Sequence, residues 1–482
     1  MSAAVRRIYS HEGIRILSAI FIGAVLIFSK LGGDGIANYD DAFYAQKAKE
    51  IWQTGSWMTL HYAGAPAFEN PPGFIWLVAL SYKIFGVNDF GAIFPSALFG
   101  VLTMVLVYFF GRSLFGAGTA PVAAFVMATT LYFIKYARHA MIDVTLSFFV
   151  TAALLAAWTA ARSGRRYFLA WGTAVAVCVL MKSVLGFFPA LITVVFLVLT
   201  GRRRLLVDPW FLGGSAIALV LGCSWYLHEY LAFGEAFTNL HFRWLILQRG
   251  FESGQGPWYG HLDYLGDILK NYWPWLPALA WGVVTLWSEA RKGDDRAVLL
   301  LLWVSSFVIV MSMMQMRSSW YIMPVYPAAA LICGRVIGGR ISERFRERAL
   351  IFVAATGVLA AVAVNAAPVR LSSEREKDVR TLAPAVSAYG RSGAKIVGYR
   401  FDYHSVNNAL LFYSDYAAQP VYDRRDELFG ALESPGATVC ILYTRDVEGL
   451  GPLPAGYGVV AGTTGLSLIA NRPAAGPAGP SH

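Results

Sequence analysis

Long apolar stretches separated by short polar loops fill the chain up to about residue 368. "IRILSAIFIGAVLIFSKL" and "SALFGVLTMVLVYFFG" are apolar around the whole helical circumference and approach the roughly 20 residues that cross a ~30 Å hydrocarbon core. Because lipid satisfies no backbone hydrogen bonds, such stretches predict membrane-spanning helices. The first stretch lacks a small-residue cleavage signal, so we interpret it as a retained anchor helix rather than a signal peptide.

Each apolar stretch between polar loops predicts one crossing, which gives about eleven crossings. A total of roughly twelve or thirteen also fits, because short helices and kinks near Pro95 and Pro189 blur the boundaries. The segment "PPGFIWLVALSYKIFG" predicts a helix that lies in the membrane plane or re-enters it. The predicted spans lie near residues 14–31, 92–111, 119–137, 143–161, 167–181, 183–200, 210–228, 267–288, 297–314, 319–338 and 349–367.

Composition agrees with a mostly α-helical, polytopic membrane protein, since 56% of the 482 residues are hydrophobic, 15% are charged and the mean hydropathy is +0.50. The net charge of +10 is concentrated in short loops at helix ends, which the positive-inside rule places in the cytoplasm. These clusters never form one continuous patch, which disfavours nucleic-acid binding. The basic residues are Arg6, Arg7, Arg112, Arg162, Arg165, Arg166, Arg202, Arg203, Arg204, Arg291, Lys292, Arg296, Arg340, Arg344, Arg346 and Arg348.

From about residue 369 the pattern becomes that of a soluble domain. "SEREKDVRTLAPAVSAYG" predicts an amphipathic helix, and "AKIVGYR", "ALLFYS", "TVCILYT" and "GLSLIANR" predict short strands. The tail "RPAAGPAGPSH" is predicted to be disordered. We therefore predict a transmembrane domain over 1–368, with its first external loop near 32–72, and a small outer-face α/β domain over 369–482.

Polar residues that are costly to place in a membrane are clustered on the side that the charge pattern predicts to lie outside the cytoplasm. An ionisable group near the apolar core costs about 2.5 to 3.5 kcal/mol on insertion scales, so several on one side favour a shared water-filled cavity. The alternative is that each side chain snorkels to the headgroups or pairs with a neighbour. The set comprises Asp40, Asp41, Glu69, Lys135, Arg138, His139, Asp143, Lys182, His241, Arg243, Arg249, Arg317 and Tyr321.

The set combines carboxylates, cations and aromatic residues. Carboxylates act as general bases or metal ligands, Arg and Lys bind phosphate, and Tyr and Trp stack on lipid or sugar faces. "FENPPGF" adds a rigid element, because Pro71 and Pro72 fix φ and present Glu69 on a stiff loop. Acid, base and phosphate-binding groups together suggest group transfer from a phosphate leaving group.

The run "YDDAFYAQKAKEIWQTGSWMTLHYAGAPAFENPPGFIWLVALSYKIFG" resembles the first external loop of the bacterial aminoarabinose transferases of lipid A modification. These proteins are the bacterial branch of the protein mannosyltransferase superfamily, which has the GT-C fold. "ARHAMIDVTLSFF", "MKSVLGFFPAL", "NLHFRW", "GPWYGHLDYL" and "WYIMPVYPAAAL" match in the same order, and the C-terminal domain matches only in position and size. The resemblance implies sugar transfer from a polyisoprenyl (undecaprenyl) phosphate donor by an inverting single displacement.

The same resemblance implies roles for individual residues. Asp40 matches the essential loop aspartate, the proposed catalytic base or acceptor-positioning group, and Asp41 is its acidic neighbour. Glu69 and His241 match a divalent metal pair, for which we expect zinc, magnesium or manganese completed by water or substrate. We expect the donor phosphate to bind Arg243, Arg317, Tyr321, Lys182 and Arg138. We expect the acceptor side of the loop to include Tyr44, Asn70 and Asp143.

Two departures from the family pattern concern the acceptor. Asn70 stands where the family has a lysine, and Phe43 stands where it has an arginine. Both changes remove positive charge, which disfavours an anionic acceptor such as a lipid A phosphate. A neutral hydroxyl of a glycan, glycolipid or protein becomes the more plausible acceptor, and it needs a base more than a phosphate does.

Three other functions fit a polar cavity in a membrane protein. A polyprenyl-linked glycan transporter or flippase predicts inverted repeats and midplane polar groups, and the sequence pattern indicates neither. A non-catalytic lipid-glycan receptor differs only in lacking transfer, and a polymerase or ligase differs in donor length. We expect a monomer in the bacterial inner membrane, with its site and C-terminal domain facing the periplasm, and no nucleic-acid partner.

Overall fold

The computed structural model describes residues 3–33, 35–36, 40–252, 262–314, 317–340 and 374–471. The predicted span at 349–367 and the predicted disordered tail at 472–482 lie outside these residues. The helices before the C-terminal region are α1 (Ala3–Phe28), α2 (Asp40–Thr54), α3 (Gly73–Phe85), α4 (Asp89–Phe115), α5 (Ala120–Ala128), α6 (Leu131–Ala137), α7 (Ile142–Arg162), α8 (Tyr167–Lys182), α9 (Phe188–Leu199), α10 (Pro209–Phe233), α11 (Glu235–Thr238), α12 (Asp263–Asn271), α13 (Leu276–Ala290), α14 (Asp295–Met313) and α15 (Tyr326–Arg340).

Shorter elements join these helices. Strands β1 (His61–Tyr62) and β2 (Ala65–Pro66) form a small antiparallel hairpin after α2. A π-helical segment covers Asn239–Glu252, and 3₁₀ turns cover Ser183–Phe187, Arg203–Val207 and Ser319–Val325.

The described residues contain six helical stretches long and apolar enough to cross a membrane, or seven if the bent pair α5 and α6 counts as one span. They confirm the predicted polytopic helical fold. The apolar part of α1, Ile16–Phe28, and α3 are shorter. The predicted span at 267–288 is divided between α12 and α13, because the chain breaks around Pro274, which has no backbone N–H for a continuous helix.

The apolar stretch Tyr167–Leu199 doubles back between α8 and α9. Ser183 has a φ of 49°, and a Cβ at Gly186 would lie 2.3 Å from the backbone of Cys178, so the turn packs directly on α8. Arg162 before α8 and Arg202 after α9 both pair with Asp295, at 2.7 and 2.8 Å. Both ends of the hairpin therefore lie at one end of the bundle, as expected for two crossings.

The predicted basic loops with Arg162 and Arg202 meet at Asp295, and we call this end, defined by these three residues, the basic end. Arg165 pairs with Asp208 at 2.6 Å just before α10, and Arg335 of α15 pairs with Glu289 of α13. The antiparallel helices then carry Asp143, at the start of α7, and Lys182, at the end of α8, to the opposite end. We call this the acidic end and define it by Asp40, Asp41 and Asp143.

Helix α3 lies across the acidic end instead of spanning the bundle. Its first residue, Gly73, packs against Leu180 near the end of α8. Its last residue, Phe85, stacks on Phe90 and Phe94 in the first turns of α4, with ring centroids 5.0 and 4.6 Å away. Both ends of α3 thus lie at one level, as expected for an in-plane helix, and Leu80, Ile84 and Phe85 remain exposed.

The C-terminal region folds as a five-stranded mixed sheet with helices. Its elements are α16 (Glu374–Arg391), β3 (Lys395–Tyr399), α17 (Tyr403–Ser414), β4 (Val421–Tyr422), α18 (Arg425–Glu433), β5 (Thr438–Tyr443), α19 (Thr444–Val447), a 3₁₀ turn (Glu448–Leu450), β6 (Tyr457–Gly462) and β7 (Leu466–Asn471). The strand order is β4-β3-β5-β7-β6, with β3 parallel to β4 and β5, and β7 antiparallel to β5 and β6.

The prediction of a strand at "ALLFYS" is wrong, because these residues lie in α17. Val406, Ala409 and Leu410 are buried at helical spacing, and the six-residue apolar run alone could not distinguish a strand from one side of a helix. The predicted helix and the other three strands are confirmed as α16, β3, β5 and β7.

Candidate functional site

The two acids of the first loop open a helix. Asp40 and Asp41 occupy the first turn of α2, where the unpaired N–H groups and the helix dipole favour negative charge. Asp41 is buried, and its Oδ2 lies 2.8 Å from Nδ1 of His139, just before α7. Asp40 is partly exposed. The two neighbouring carboxylates therefore differ in their surroundings, because Asp41 is buried against an imidazole of the bundle and Asp40 is partly exposed.

Asp143 and Lys182 form an ion pair at the acidic end. Their side chains are 3% and 17% exposed, so the pair is largely withdrawn from water. The Lys182 Nζ also lies 4.0 Å from the centroid of the Tyr321 ring, within range of a cation–π interaction. The structure therefore brings three predicted residues from α7, α8 and the turn before α15 into direct contact.

Tyr44 lies between this ion pair and the acids of α2. Burial, and then the negative charges of Asp40 and Asp143, raise the pKa of Tyr44 well above its ordinary value. Its ring packs edge-on against Phe74, with centroids 5.8 Å apart. The Tyr44 phenol therefore stays protonated and can donate a hydrogen bond.

His241 joins the loop before α3 to the turn after α8. It is fully buried and surrounded by aromatic rings, among them Trp225 and Phe237. Its Nδ1 lies 2.6 Å from the Phe68 carbonyl, which can only accept, so Nδ1 carries the proton and Nε2 accepts from the Ser183 hydroxyl at 3.1 Å. Burial lowers the pKa of His241, in keeping with a neutral ring.

Lys47 occupies the other side of the same loop. Its Nζ donates to Glu69 Oε2 at 2.8 Å and to Asn70 Oδ1 at 3.2 Å, and lies 3.9 Å from the Phe43 ring centroid. The Lys47 side chain is 0% exposed, whereas that of Glu69 is 34% exposed. Burial acts to raise the pKa of Glu69, but the charge and hydrogen bond of Lys47 outweigh it and hold that pKa below its ordinary value.

The predicted metal pair does not fit a metal in this arrangement. An ammonium group already occupies the face of the Glu69 carboxylate, and both ring nitrogens of His241 have hydrogen-bond partners. Within the described ranges, no three His, Cys, Asp or Glu side chains are close enough to hold a metal ion. The divalent metal therefore stays a prediction, and no step below passes through it.

The three predicted phosphate-binding arginines have different surroundings. Arg138 Nη1 donates to the carbonyls of Leu26, Ile27 and Ser29 at 2.7–2.9 Å, so it caps the end of α1. Arg317 Nε lies 3.3 Å from Asp263 Oδ2, and its side chain is 13% exposed. Arg243 is exposed on the π-helical segment. Their role at a phosphate stays a prediction.

The C-terminal sheet holds the chain that leads into α2. The Tyr413 hydroxyl of α17 accepts from the Ile36 N–H at 2.8 Å and donates to Asp89 Oδ1 at 2.7 Å. Lys49 of α2 donates to the Phe412 carbonyl at 2.7 Å. Helix α2 thus packs between the bundle and the sheet, with Asp40 at its start.

The sequence named His139 without assigning it to Asp41, and it missed Lys47, Ser183 and Tyr413. A signal for Lys47 was present, because positions 40, 43 and 47 share one face of a helix that begins at Asp40. The partners of Asp41 and Ile36 lie 98 and 377 residues away in the chain, and no local pattern indicates such contacts.

Comparisons with known proteins find a family match and several relatives of this chain. Residues 69–228 match the family described as dolichyl-phosphate-mannose-protein mannosyltransferase. An uncharacterised protein of Aquifex aeolicus is 30% identical over 345 residues, which cover 71% of this chain and 67% of that protein.

Among named relatives, undecaprenyl phosphate-alpha-4-amino-4-deoxy-L-arabinose arabinosyl transferase 1 of Pseudomonas fluorescens is 27% identical over 333 residues. That match covers 67% of this chain and 59% of the relative, so the chain spans less than two thirds of the transferase. A transferase of Pectobacterium atrosepticum with the same enzyme name is 26% identical, with 69% and 60% covered.

Solved structures share the fold over nearly the whole chain. ArnT from Cupriavidus metallidurans bound to undecaprenyl phosphate has a TM-score of 0.76 at 20% identity, covering 96% of this chain and 99% of ArnT. The oligosaccharyltransferase AglB from Archaeoglobus fulgidus has a TM-score of 0.57 at 14% identity, covering 96% and 75%. The likeness therefore includes the C-terminal region as well as the bundle.

Proposed function

Because the chain belongs to the GT-C superfamily of membrane glycosyltransferases, with the bacterial aminoarabinose transferases among its relatives, we propose that it transfers a sugar from a polyprenyl phosphate to an acceptor hydroxyl. The observation that carries this proposal is the meeting of the acids of α2 with the Asp143–Lys182 pair at one end of the bundle. Carboxylates and an ammonium group lie within one cluster there, which supports a base beside a phosphate-binding cation.

In the proposed reaction the acceptor oxygen attacks the anomeric carbon as the bond from that carbon to the phosphate oxygen breaks. Asp40 takes the acceptor proton, since it is the partly exposed acid of the pair. The electron pair of the broken bond leaves with the polyprenyl phosphate, and the configuration inverts. Asp41 and His139 hold the first turn of α2 in place, so that Asp40 meets the acceptor at a fixed distance.

Negative charge grows on the departing phosphate, and Lys182 is the cation best placed to stabilise it. Asp143 fixes the position of its ammonium, and the Tyr321 ring covers one side. The protonated Tyr44 hydroxyl supplies a further donor beside the same pair. Preorganised charge of this kind commonly makes the largest contribution to catalysis.

We propose that the acidic end faces the periplasm. The paired arginines of the basic end then face the cytoplasm, in agreement with the positive-inside rule. The C-terminal sheet lies at the acidic end, where Tyr413 contacts Ile36, so it shares the periplasmic side with the site.

The test is transfer by purified protein in detergent or nanodiscs, with a series of polyprenyl phosphate sugars and with glycan, lipid and peptide acceptors. Mass spectrometry identifies the released lipid phosphate and the glycosylated acceptor. We expect Asp40→Asn to lower kcat by about a thousandfold with an unchanged melting temperature, because it removes the base and keeps the shape.

The matched control is Asp426→Asn, which changes an exposed aspartate of α18 that pairs with Arg424. It should retain full activity. Undiminished transfer by Asp40→Asn would refute the role of Asp40 as base. Donor binding without transfer by the unsubstituted protein would instead favour a lipid-glycan receptor.

A further inference from the structure

A buried ammonium group stands behind the loop that presents Glu69 and Asn70. Lys47 is completely withdrawn from solvent, and its Nζ contacts the Glu69 carboxylate, the Asn70 amide oxygen and the Phe43 ring. Burying a charged group is costly unless it is paired, and the hydrogen bonds of this ammonium group go to the loop, with the charges of Glu50 and Asp40 also acting on it. Lys47 therefore fixes the conformation of the loop.

The position of Lys47 follows from the geometry of α2. Residues 40, 43 and 47 are spaced by three and four, so Asp40, Phe43 and Lys47 lie along one helix face. Seven residues separate the Asp40 and Lys47 positions by roughly 10 Å along the helix axis. The loop held by Lys47 thus lies about two helical turns from the proposed base.

Lys47 also determines how Asn70 presents its amide. An ammonium group only donates, so the Asn70 oxygen must face Lys47 and the amide NH₂ must face away from it. Glu69 uses Oε2 for Lys47 and keeps about a third of its side chain exposed. Since Asn70 is also partly exposed, an acceptor and a donor lie side by side on the open face of the loop.

A carboxylate beside an amide NH₂ matches a hydroxyl group, which both donates and accepts. The ion pair of Lys47 with Glu69 has no net charge, so Glu69 is a poor counter-ion for an amino group or a metal. A second cation on the open face of Glu69 would also meet the positive charge of Lys47 behind it.

We propose that Lys47 is a positioning residue that sets Glu69 and Asn70 to bind uncharged hydroxyl groups of the transferred sugar or of a glycan acceptor, and that disfavours amino sugars and divalent metals there. This inference rests on the proposed transfer reaction. It gives a substrate class, the neutral hexoses and other polyols, that differs from the amino sugar in the names of the relatives.

The first experiment compares kcat/KM for an undecaprenyl phosphate hexose with that for an undecaprenyl phosphate 4-amino-4-deoxy-pentose. The unsubstituted protein should prefer the hexose by about tenfold or more. Lys47→Met should reduce this preference by about tenfold, mainly through KM, because Glu69 then attracts the sugar ammonium. Lys47→Arg should restore it. A purely structural role would lower both activities equally and leave the ratio unchanged, which would overturn the proposal.

The matched control is Lys83→Met at the exposed end of α3, which should leave the ratio unchanged. Asn70→Leu guards against misfolding of Lys47→Met, because Asn70 is partly exposed. It should weaken use of the neutral sugar and keep the melting temperature. A donor-side role changes the ratio between donors, whereas an acceptor-side role changes KM for a glycan acceptor relative to a simple alcohol. No change in either comparison would overturn the inference.

A second readout does not depend on transfer. After equilibration with zinc chloride and dialysis, elemental analysis should find far less than one zinc per chain in the unsubstituted protein. Stoichiometric zinc that is lost in Glu69→Gln would overturn the proposal, even if no donor supports transfer. Failure of every donor, with zinc still excluded, would instead count against the transfer reaction.

Discussion

The two ends of the helical bundle use charge in opposite ways. At the basic end, arginines pair with aspartates closer to water, as in Arg296 with Asp294, where the two side chains are 41% and 20% exposed. At the acidic end, Lys47, Asp41 and Asp143 are 0%, 5% and 3% exposed. Exposed pairs contribute about 0–1 kcal/mol, whereas the loss of one partner from a buried pair costs about 3 to 5 kcal/mol.

This difference separates charges that orient the chain from charges that shape a site. The arginines of the basic end need only be positive and near the headgroups, so one can replace another with little effect. The buried charges of the acidic end have fixed partners, which lie before α3, before α7 and at the end of α8. Buried pairs of this kind are weak evidence for stability, and charged groups in membrane proteins commonly mark functional sites.

The largest effect in this comparison is expected for Lys182→Met. It leaves the buried Asp143 carboxylate without its partner, so the free energy of unfolding should fall by about 3 to 5 kcal/mol. The kcat for sugar transfer should fall by more than about a hundredfold, because the departing phosphate loses its cation. Thermal unfolding in detergent and the transfer assay measure the two effects.

The double variant Lys182→Met with Asp143→Leu separates stability from function. It should recover most of the melting temperature, since neither charge is left alone, but none of the activity. Recovery of both would show that the pair serves packing only.

A smaller effect is expected for Tyr413→Phe at the contact between the sheet and α2. The variant keeps the ring but removes the hydroxyl that bridges the Ile36 N–H and Asp89, at a cost of about 1 to 3 kcal/mol for the groups left unpaired. Hydrogen exchange should rise in residues 35–54 and kcat should fall. Tyr457→Phe in β6 is the control, and equal exchange in both variants would contradict a link between sheet and site.

A modest pH effect is expected at the basic end. Hydrogen bonds from Arg296 hold the pKa of Asp294 at about 2, below its ordinary value. A depressed carboxyl pKa stabilises the fold above the pKa of the unfolded chain, and this stabilisation is lost as the pH falls toward 2. Melting curves between pH 5 and pH 2 should therefore fall less steeply for Asp294→Asn than for the unsubstituted protein. Parallel curves for the two proteins would argue against a stabilising role of the lowered Asp294 pKa.

The smallest effect is expected for Arg165→Gln. The Arg165 side chain is 63% exposed, and the largely buried Asp208 keeps its hydrogen bond from the Trp210 N–H, so the loss of the pair should cost about 1 kcal/mol and leave transfer unchanged. A fall in the free energy of unfolding or in kcat as large as that expected for Lys182→Met would remove the distinction between the two ends.

Parts of the fold and site could be predicted because they depend on local patterns. Apolar length predicts spans, and the basic loops that it separates do pair at a common end, as Arg162, Arg202 and Asp295 show. The gathering of Asp143, Lys182 and Tyr321 was predicted from the same alternation. The strand predicted at "ALLFYS" is wrong, because a run of six residues is too short for its periodicity to distinguish a strand from a helix.

The rest depends on which distant side chains meet. His241 and Glu69 interact electrostatically, but the buried ring also binds the Phe68 carbonyl and Ser183, and Lys47 contacts the carboxylate. The family resemblance implied a metal pair at Glu69 and His241, and it gave no sign of the contact with Lys47. Only the tertiary packing places the Lys47 ammonium group of α2 against the Glu69 carboxylate.

The bond from Ile36 to Tyr413 joins positions 377 residues apart. At a translation rate of about 5 to 20 residues per second, roughly 20 to 75 seconds pass between synthesis of the two partners. Throughout that time the helix that starts at Asp40 lacks its cover. The hydrogen bond from Ile36 to Tyr413 therefore forms only after a long stretch of chain has been translated, so a partly synthesised protein lacks this support of the segment before α2.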